Sequence, residues 1–371
     1  MNYRSADVVV NGRFLHQQLT GVQRVAFGIL GAIDKIFSAS STSAYPTIEV
    51  LVPYSKNILQ PWLNIPVRCA PGGHGYWWEQ ITLPRTAAGR LTVNLCNLAP
   101  VIAPGIVCIH DAHVFNIPEN YSWQFRLAYR TLLPIIGRRA KRIVTPSRYS
   151  AEQLISHGIA RSERVITIPN AIDYVRHLDP KQSRLDLSKF PERFVFALGS
   201  MSVNKNIGLL LSIAPDLQQQ EIGLVIAGEM DDRIFSGSKS FLSHNSNVIM
   251  LGRINDEDLA LLYQRAFCFA FPSIEEGFGL PPLEAMHWGC PVIASNRASV
   301  PEVCGDAALL CSPFEPREWI ECIRRLAIDS SLRASLASRG RLRSEKYTYA
   351  KSAAAWLTLI KDEFDAHGLK M

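Results

Sequence analysis

Ile274-Glu275-Glu276-Gly277-Phe278-Gly279-Leu280-Pro281-Pro282-Leu283-Glu284-Ala285-Met286 decides how this chain is read. The apolar run just before it, Cys268-Phe269-Ala270-Phe271-Pro272, has the composition of a buried strand. Gly277 and Gly279 free the backbone for a tight turn. Pro281 and Pro282 fit only the first turn of a helix, where their missing amides are not needed. The stretch therefore reads as strand, glycine turn and helix start. A helix start, with unpaired amides and a positive dipole end, attracts a phosphate or a polyhydroxylated ring. Glu276 stands in the loop, free to accept hydroxyl hydrogen bonds, and Glu284 sits about one turn inside the helix, facing a second set. Two separated carboxylates around an anion-tolerant turn suit a ligand that is part sugar, part phosphate and part ribose. The same residues also fit an ordinary loop, with one solvated acid and one acid offsetting the helix dipole. Spacing alone does not choose between them.

The run continues as Gly289-Cys290-Pro291-Val292-Ile293-Ala294 and Ser299-Val300-Pro301-Glu302-Val303. Together with Glu276 to Pro281 and Glu284-Ala285-Met286, it resembles the signature of the retaining glycosyltransferases of family four. The resemblance implies an α/β chain of the GT-B type, two Rossmann-like domains with a nucleotide-sugar donor in the cleft between them. It assigns Glu276 to the donor sugar and Glu284 to the ribose, with Gly277, Phe278, Gly279 and Leu280 forming the rest of the donor loop.

A length of 371 residues has room for two α/β domains with separate cores. Hydrophobic residues at 47% and charged residues at 19% are ordinary for a soluble globular protein. The eight cysteines show no metal-type or paired spacing and read as buried thiols of a reducing compartment. The start, Met1-Asn2-Tyr3-Arg4-Ser5-Ala6-Asp7, lacks the apolar core of a signal peptide, and no apolar run reaches membrane-spanning length. These features predict a cytoplasmic protein. Charge is uneven along it. Residues 1–190 hold 21 Lys+Arg against 11 Asp+Glu, whereas residues 191–371 hold 18 against 22, so the first part is suited to face something acidic.

Asp7-Val8-Val9-Val10-Asn11-Gly12 reads as a first buried strand, followed by a loop ending at Leu19-Thr20-Gly21 and a helix from Val22 to Ile36. No Gly-x-Gly-x-x-Gly accompanies them, which argues against a dinucleotide-binding dehydrogenase. Gly21 in this loop, and Trp77-Trp78-Glu79-Gln80 with Leu83-Pro84, resemble polysaccharide-assembling members of the family. There a loop glycine lets backbone approach the donor phosphates or the acceptor, and the tryptophan segment lies on the acceptor side. Taken alone, Gly21 is a turn glycine before a helix and the tryptophans are core and rim packing. His110-Asp111 closes the strand Ile106 to Ile109, and a titratable residue there faces the crevice of an open α/β sheet. The resemblance makes His110 catalytic, beside the reacting sugar, with His113 as a competitor.

Asn120 to Ala151 contains seven bases and no acid, interleaved with Trp123, Leu127 and other apolar residues. It resembles a basic amphipathic helix able to lie on an anionic membrane, though a solvated face over a buried stripe has the same pattern. No nucleic-acid motif is recognisable. Pro169-Asn170-Ala171-Ile172-Asp173 matches the family's domain-closing turn, with Ala171 where glycine is usual, and residues 174–192 read as a linker. The predicted domains are residues 1–190 and 191–346, with 347–371 returning to the first. Beyond the strand Phe194 to Gly199, Ser200 and Lys205 fall in the loop where the family clamps the donor diphosphate. Asn204 stands there in place of a common Arg. Arg253 is a candidate for the missing cation, and Arg253-Ile254 opens the segment that holds the nucleotide base in the family. Asp256-Glu257-Asp258 resembles an acid-x-acid metal motif but fits a helix cap with first-turn acids better.

The expected activity is that of a retaining, metal-independent hexosyltransferase with no cofactor, since the nucleotide sugar is a substrate. Mannose from GDP-mannose is the first expectation, and UDP-glucose or dTDP-rhamnose the alternatives. The expected acceptor is a lipid-linked saccharide or polysaccharide, met at the inner face of the plasma membrane, with an anionic membrane surface and no nucleic acid as partner. The departing diphosphate takes the acceptor's proton on the same face in this family, so no separate general base is required. A non-catalytic sugar-nucleotide-binding protein on the same fold is a different class. It would be expected to lose Lys205, Glu276 or Glu284, and all three are present. A phosphorylase would need a cofactor-binding lysine site, and none is identifiable.

Overall fold

A computed structural model describes residues 6–39, 44–54, 59–229 and 246–368. The first five residues, and residues 55–58 of the irregular stretch, lie outside the described residues. The chain forms two compact units. One comprises the residues up to Ala171 together with those from Thr348 onward, the other Ile172–Tyr347.

The first unit holds a seven-stranded parallel sheet in the order β3-β2-β1-β4-β5-β6-β7. Its strands are β1 (Val8–Asn11), β2 (Ile48–Val52), β3 (Val67–Cys69), β4 (Leu91–Asn94), β5 (Ile106–Cys108), β6 (Arg142–Thr145) and β7 (Val165–Thr167). The helix Tyr349–Gly368 belongs to this unit, where Trp356, Leu357 and Ile360 are buried. Gly28, on the helix Gly21–Ala39, lets the Tyr349 ring lie against the backbone, because a Cβ there would overlap the ring.

The second unit holds six parallel strands in the order β10-β9-β8-β11-β12-β13. These are β8 (Phe194–Leu198), β9 (Gly223–Ala227), β10 (Val248–Gly252), β11 (Cys268–Phe271), β12 (Val292–Ser295) and β13 (Ala308–Cys311). Side chains of a strand alternate between faces, and here both faces are covered, so its strands are apolar throughout. Phe194, Phe196, Phe269 and Phe271 enter one core with Leu283, Ala285 and Met286. Val195, Ala197, Cys268 and Ala270 enter the other with Trp319, Ile323 and Leu326 of the helix Pro316–Ile328.

The boundary read from the sequence, at residue 190, falls too late. Residues 172–190 pack with the second unit, where Tyr174, Leu178, Leu185 and Phe190 lie against its core. Asp258 anchors this segment by accepting from Ser183 Oγ at 2.7 Å and the Arg184 amide at 2.8 Å. Ala171 has no left-handed backbone, so the closing turn does not need the family's glycine.

In each sheet the winding reverses once, between β1 and β4 and between β8 and β11. Loops leaving neighbouring strands at such a reversal diverge and open a crevice at their carboxyl ends, the usual ligand position of open α/β sheets.

Candidate active site

At the second reversal the loop after β8 meets the loop after β11. Asn206, held left-handed at φ 53°, donates from Nδ2 to the Pro272 carbonyl at 3.3 Å and the Pro313 carbonyl at 2.7 Å. The Ile274 amide donates to the Asn204 carbonyl at 2.7 Å. These bonds stitch the loops together and bring Lys205 to Glu276, whose Oε1 accepts from Nζ at 2.6 Å. Glu276 is 8% exposed and therefore not free in its loop, as the sequence had implied; a half-buried ammonium already neutralises it. The sequence also left Asn204 unexplained. It is buried, and its Oδ1 accepts from Ser202 Oγ at 2.8 Å, which in turn lies 2.9 Å from Ser200 Oγ. An arginine would have to place its charge in that enclosed position.

Gly279 caps the following helix, Leu280–His287, with φ 102°, a conformation that favours glycine. Pro281 and Pro282 bring no N–H, so of the first four helical residues only Leu280 and Leu283 carry an amide. The donor capacity of this helix start is thus narrower than the dipole argument implies. Glu284 is 6% exposed, and both its oxygens accept phenol protons, one from Tyr174 and the other from Tyr263 at 3.1 Å. Burial and the neighbouring Glu284 charge push the Tyr263 phenol well above its ordinary value, keeping it a donor. Ser299, buried, donates to the carbonyls of Glu276 at 2.9 Å and Phe278 at 2.8 Å, pinning the loop from behind.

Arg253 is engaged at the surface with Glu229 at 2.6 Å, and Ile254 packs half-buried on the core. Both side chains of the Arg253–Glu229 pair are mostly exposed, so the pair adds little stability. Among the described residues no cluster of three or more His, Cys, Asp or Glu could hold a metal ion. Asn255 caps the helix Asp256–Arg265, accepting from the Asp258 amide at 2.7 Å, which accounts for the acidic triplet.

In the first unit, His110 is buried just beyond β5, and its Nε2 donates to the Leu95 carbonyl at 2.9 Å. Its amide donates to Asn97 Oδ1 at 2.8 Å and its carbonyl accepts from Ser150 Oγ at 3.0 Å. Burial holds the imidazole below its ordinary value, opposed by the Leu95 carbonyl and Asp111. The folded state thus refuses a proton that the unfolded chain accepts near pH 6.5. Stability is full above about that pH and declines as pH falls through it. The melting temperature should therefore drop between pH 7.5 and 5.5, and His110→Gln, whose amide nitrogen takes the place of Nε2 as donor to Leu95, should flatten that slope. Identical slopes would show that His110 stays unstrained by acid. His113 lies 3.7 Å from Asp111.

Gly21 opens its helix rather than ending a loop. Of the two tryptophans, Trp78 is buried and donates to the Ala70 carbonyl at 2.8 Å, while Trp77 is 67% exposed. Sequence reasoning missed a buried polar cluster at the β1/β4 reversal. Glu79 Oε1 accepts from Asn11 Nδ2 at 2.7 Å and faces Arg13 Nε at 3.2 Å, and Asn11 Nδ2 also reaches Asn94 Oδ1 at 3.0 Å. Burial raises the Glu79 carboxyl above its ordinary value despite Arg13 and Asn11. Strand-end Asn11 and Asn94 were the available signal.

Two α/β units, each with a parallel sheet whose winding reverses once, define the GT-B class of fold, and comparison with known proteins agrees. The glycosyl transferases group 1 model matches residues 181–343 and the glycosyltransferase family 4 model matches residues 91–176. The O-antigen chain mannosyltransferase B of Escherichia coli is 30% identical over 69% of this chain and 70% of its own length. The chain belongs to this glycosyltransferase family. The serotype-specific mannosyltransferase WbdA of Escherichia coli is 27% identical over 94% of this chain, which spans only 44% of that relative. Sucrose-phosphate synthase from Thermosynechococcus elongatus shares the fold, with a TM-score of 0.74 at 17% identity, over 97% of this chain and 99% of that one.

Proposed function

We propose that the chain is a retaining, metal-independent hexosyltransferase of surface polysaccharide assembly. Its first candidate donor is GDP-mannose, with UDP-glucose and dTDP-rhamnose as alternatives, and its acceptor is a lipid-linked saccharide or polysaccharide. The observation that carries this reading is the Lys205–Glu276 pair at the β8/β11 reversal, with Glu284 one helical turn away. The names of the Escherichia coli mannosyltransferases support mannose. An arriving diphosphate competes for Lys205 and releases the Glu276 carboxylate to the hydroxyls of the sugar. Ser200, Gly277, Phe278, Gly279 and Leu280 border the same place, and Glu284, oriented by its two tyrosines, offers its remaining lone pairs to ribose hydroxyls. In the reaction the bond from the anomeric carbon to the diphosphate oxygen breaks. A bond to the acceptor oxygen forms on the same face, and the acceptor proton passes to the departing diphosphate. Lys205 offsets the charge that develops there. His110, neutral, is proposed to orient donor or acceptor in the first unit. The test is incubation of the protein with a panel of nucleotide sugars and a lipid-linked acceptor, with and without excess chelator. The expected result is transfer of one hexose with the anomeric configuration kept and equal rates in both conditions. Transfer that requires added Mn²⁺ or Mg²⁺ contradicts the metal-independent reading.

The acceptor's lipid brings the first unit to a membrane. No helix among the described residues is long and apolar enough to cross one. The helix Trp123–Arg139 buries Leu133 and Ile136 and leaves Trp123 and Leu127, each 63% exposed, one turn apart, with exposed Arg130 next to Leu127 and exposed Arg138 and Arg139 at the helix's far end. Not every base of this stretch is available. Arg142 binds Glu363 at 2.6 Å and the Glu163 carbonyl at 2.9 Å, holding the unit together. Binding to anionic vesicles should therefore occur and weaken with salt, since exposed charges are screened within about 8 Å at physiological ionic strength. Arg138→Gln with Arg139→Gln should weaken it roughly thirtyfold, at about 1 kcal/mol per base, while transfer to a soluble acceptor persists. Indifference of the unaltered protein to such vesicles at low salt would leave the helix face as merely solvated.

A further inference from the structure

At the amino ends of β8 and β11, opposite the ends that carry Lys205 and Glu276, lies an open hollow of about 450 Å³. Its walls are Glu192, Arg193, Arg265, Phe267, Ala327 and Arg333. Phe267 is buried and its amide donates to the Phe194 carbonyl at 2.8 Å, so its ring is fixed to the sheet. Two guanidinium groups lean on that ring, Arg193 at 4.7 Å and Arg333 at 5.3 Å from its centre. Arg265 ends the helix Asp256–Arg265, where the helix dipole favours a cation. Among the described residues none of the three arginines forms an ion pair, although Glu192 is on the same wall. Three like charges lining one hollow repel one another, and stacking on Phe267 restricts two of them in advance of any ligand. The lining carries three positive charges and one negative, a match for a dianion.

We propose that this hollow is a second anion site that binds a phosphate-type dianion, supplied either by a lipid headgroup or by a soluble diphosphate. Guanidinium forks match phosphate oxygens two at a time, which a lysine patch would not do. The site shares no residue with the proposed donor site and does not depend on the reading of that site.

Inorganic pyrophosphate, titrated by calorimetry, separates the two. The unaltered protein is expected to bind two equivalents, and Lys205→Ala one. Arg193→Gln with Arg333→Gln should weaken the second equivalent roughly tenfold or more, since bonds between charged partners are the strong ones. A melting curve accompanies the double variant. If it does not melt like the unaltered protein, Arg265→Gln, which alters an exposed side chain, replaces it with the same threshold. Loss of the equivalent in the arginine variant alone supports this site even if Lys205→Ala changes nothing, in which case the donor reading fails separately. Pyrophosphate affinity unchanged by the arginine substitutions overturns the proposal, as does binding that Lys205→Ala abolishes completely. A parallel sedimentation with vesicles of phosphatidic acid, whose phosphomonoester can carry two charges, and of phosphatidylcholine identifies the source. A parallel fall in phosphatidic acid binding assigns the site to lipid headgroups, and unchanged vesicle binding with lost pyrophosphate binding assigns it to a soluble ligand.

Discussion

Glu276→Ala is expected to lower turnover by roughly 100- to 1,000-fold, the scale on which loss of one preorganised polar contact slows a reaction, while the protein still folds. The loop that carries Glu276 is held by other groups: Ser299 binds its backbone carbonyl, and the Ile274 amide is tied to Asn204. The substitution thus removes a carboxylate without removing the loop. It also leaves Lys205 unpaired, but that side chain is about a quarter exposed and can turn to water. Glu276→Gln retains the shape and should fall between the alanine variant and the parent. Steady-state rates with the preferred donor, accompanied by melting curves, provide the check. A folded alanine variant with the parent's rate removes Glu276 from the site.

Lys205→Ala should weaken nucleoside diphosphate binding by about 10- to 100-fold, in line with loss of a charge-assisted bond. Two effects add. The cation facing the diphosphate disappears, and the Glu276 carboxylate that it neutralised at 2.6 Å is left to repel the ligand. Asn204, buried and committed to Ser202, cannot replace it, and Arg253 is engaged with Glu229. Adding Glu276→Gln to the lysine variant should therefore recover part of the lost affinity, a coupling that a double-mutant cycle measures. Equal affinity in parent and lysine variant by calorimetry would dismiss the clamp, and strictly additive effects would dismiss the competition between diphosphate and Glu276.

Much of this site was legible because its parts are consecutive. The apolar β11, Gly279 at the turn and the prolines of the helix start appear where local backbone preferences put them. Pairing was not legible. Lys205 and Glu276 are brought together by strands that neighbour each other only in the folded sheet, and Tyr174 reaches Glu284 from a segment that looked like a linker. That segment is polar and lacks periodicity, because it runs in short 3-10 turns whose scattered Tyr174, Leu178, Leu185 and Phe190 form no stripe. Its anchor, Asp258, looked like a helix cap or metal ligand from sequence and is a latch as well. The same limit hid Glu79, which stands in a helical turn while its partner Asn11, and Asn94 beyond it, come from two strands. The basic stretch illustrates the converse case: its composition was plain, yet only the fold separates Arg142, tied to Glu363, from the exposed Arg138 and Arg139.

The division of the chain also fixes an order of events at the ribosome. Residues 172–347 are contiguous and emerge complete, so the second unit can fold as soon as they leave the exit tunnel. The first unit, whose strands are made earliest, must wait for Trp356, Leu357 and Ile360, among the last described residues to be synthesised. Until then the surface they cover is bare on a nascent chain, a state that invites chaperone capture or aggregation. A released chain ending near residue 347 should accordingly display a protease-resistant second unit beside a first unit that is still readily cut.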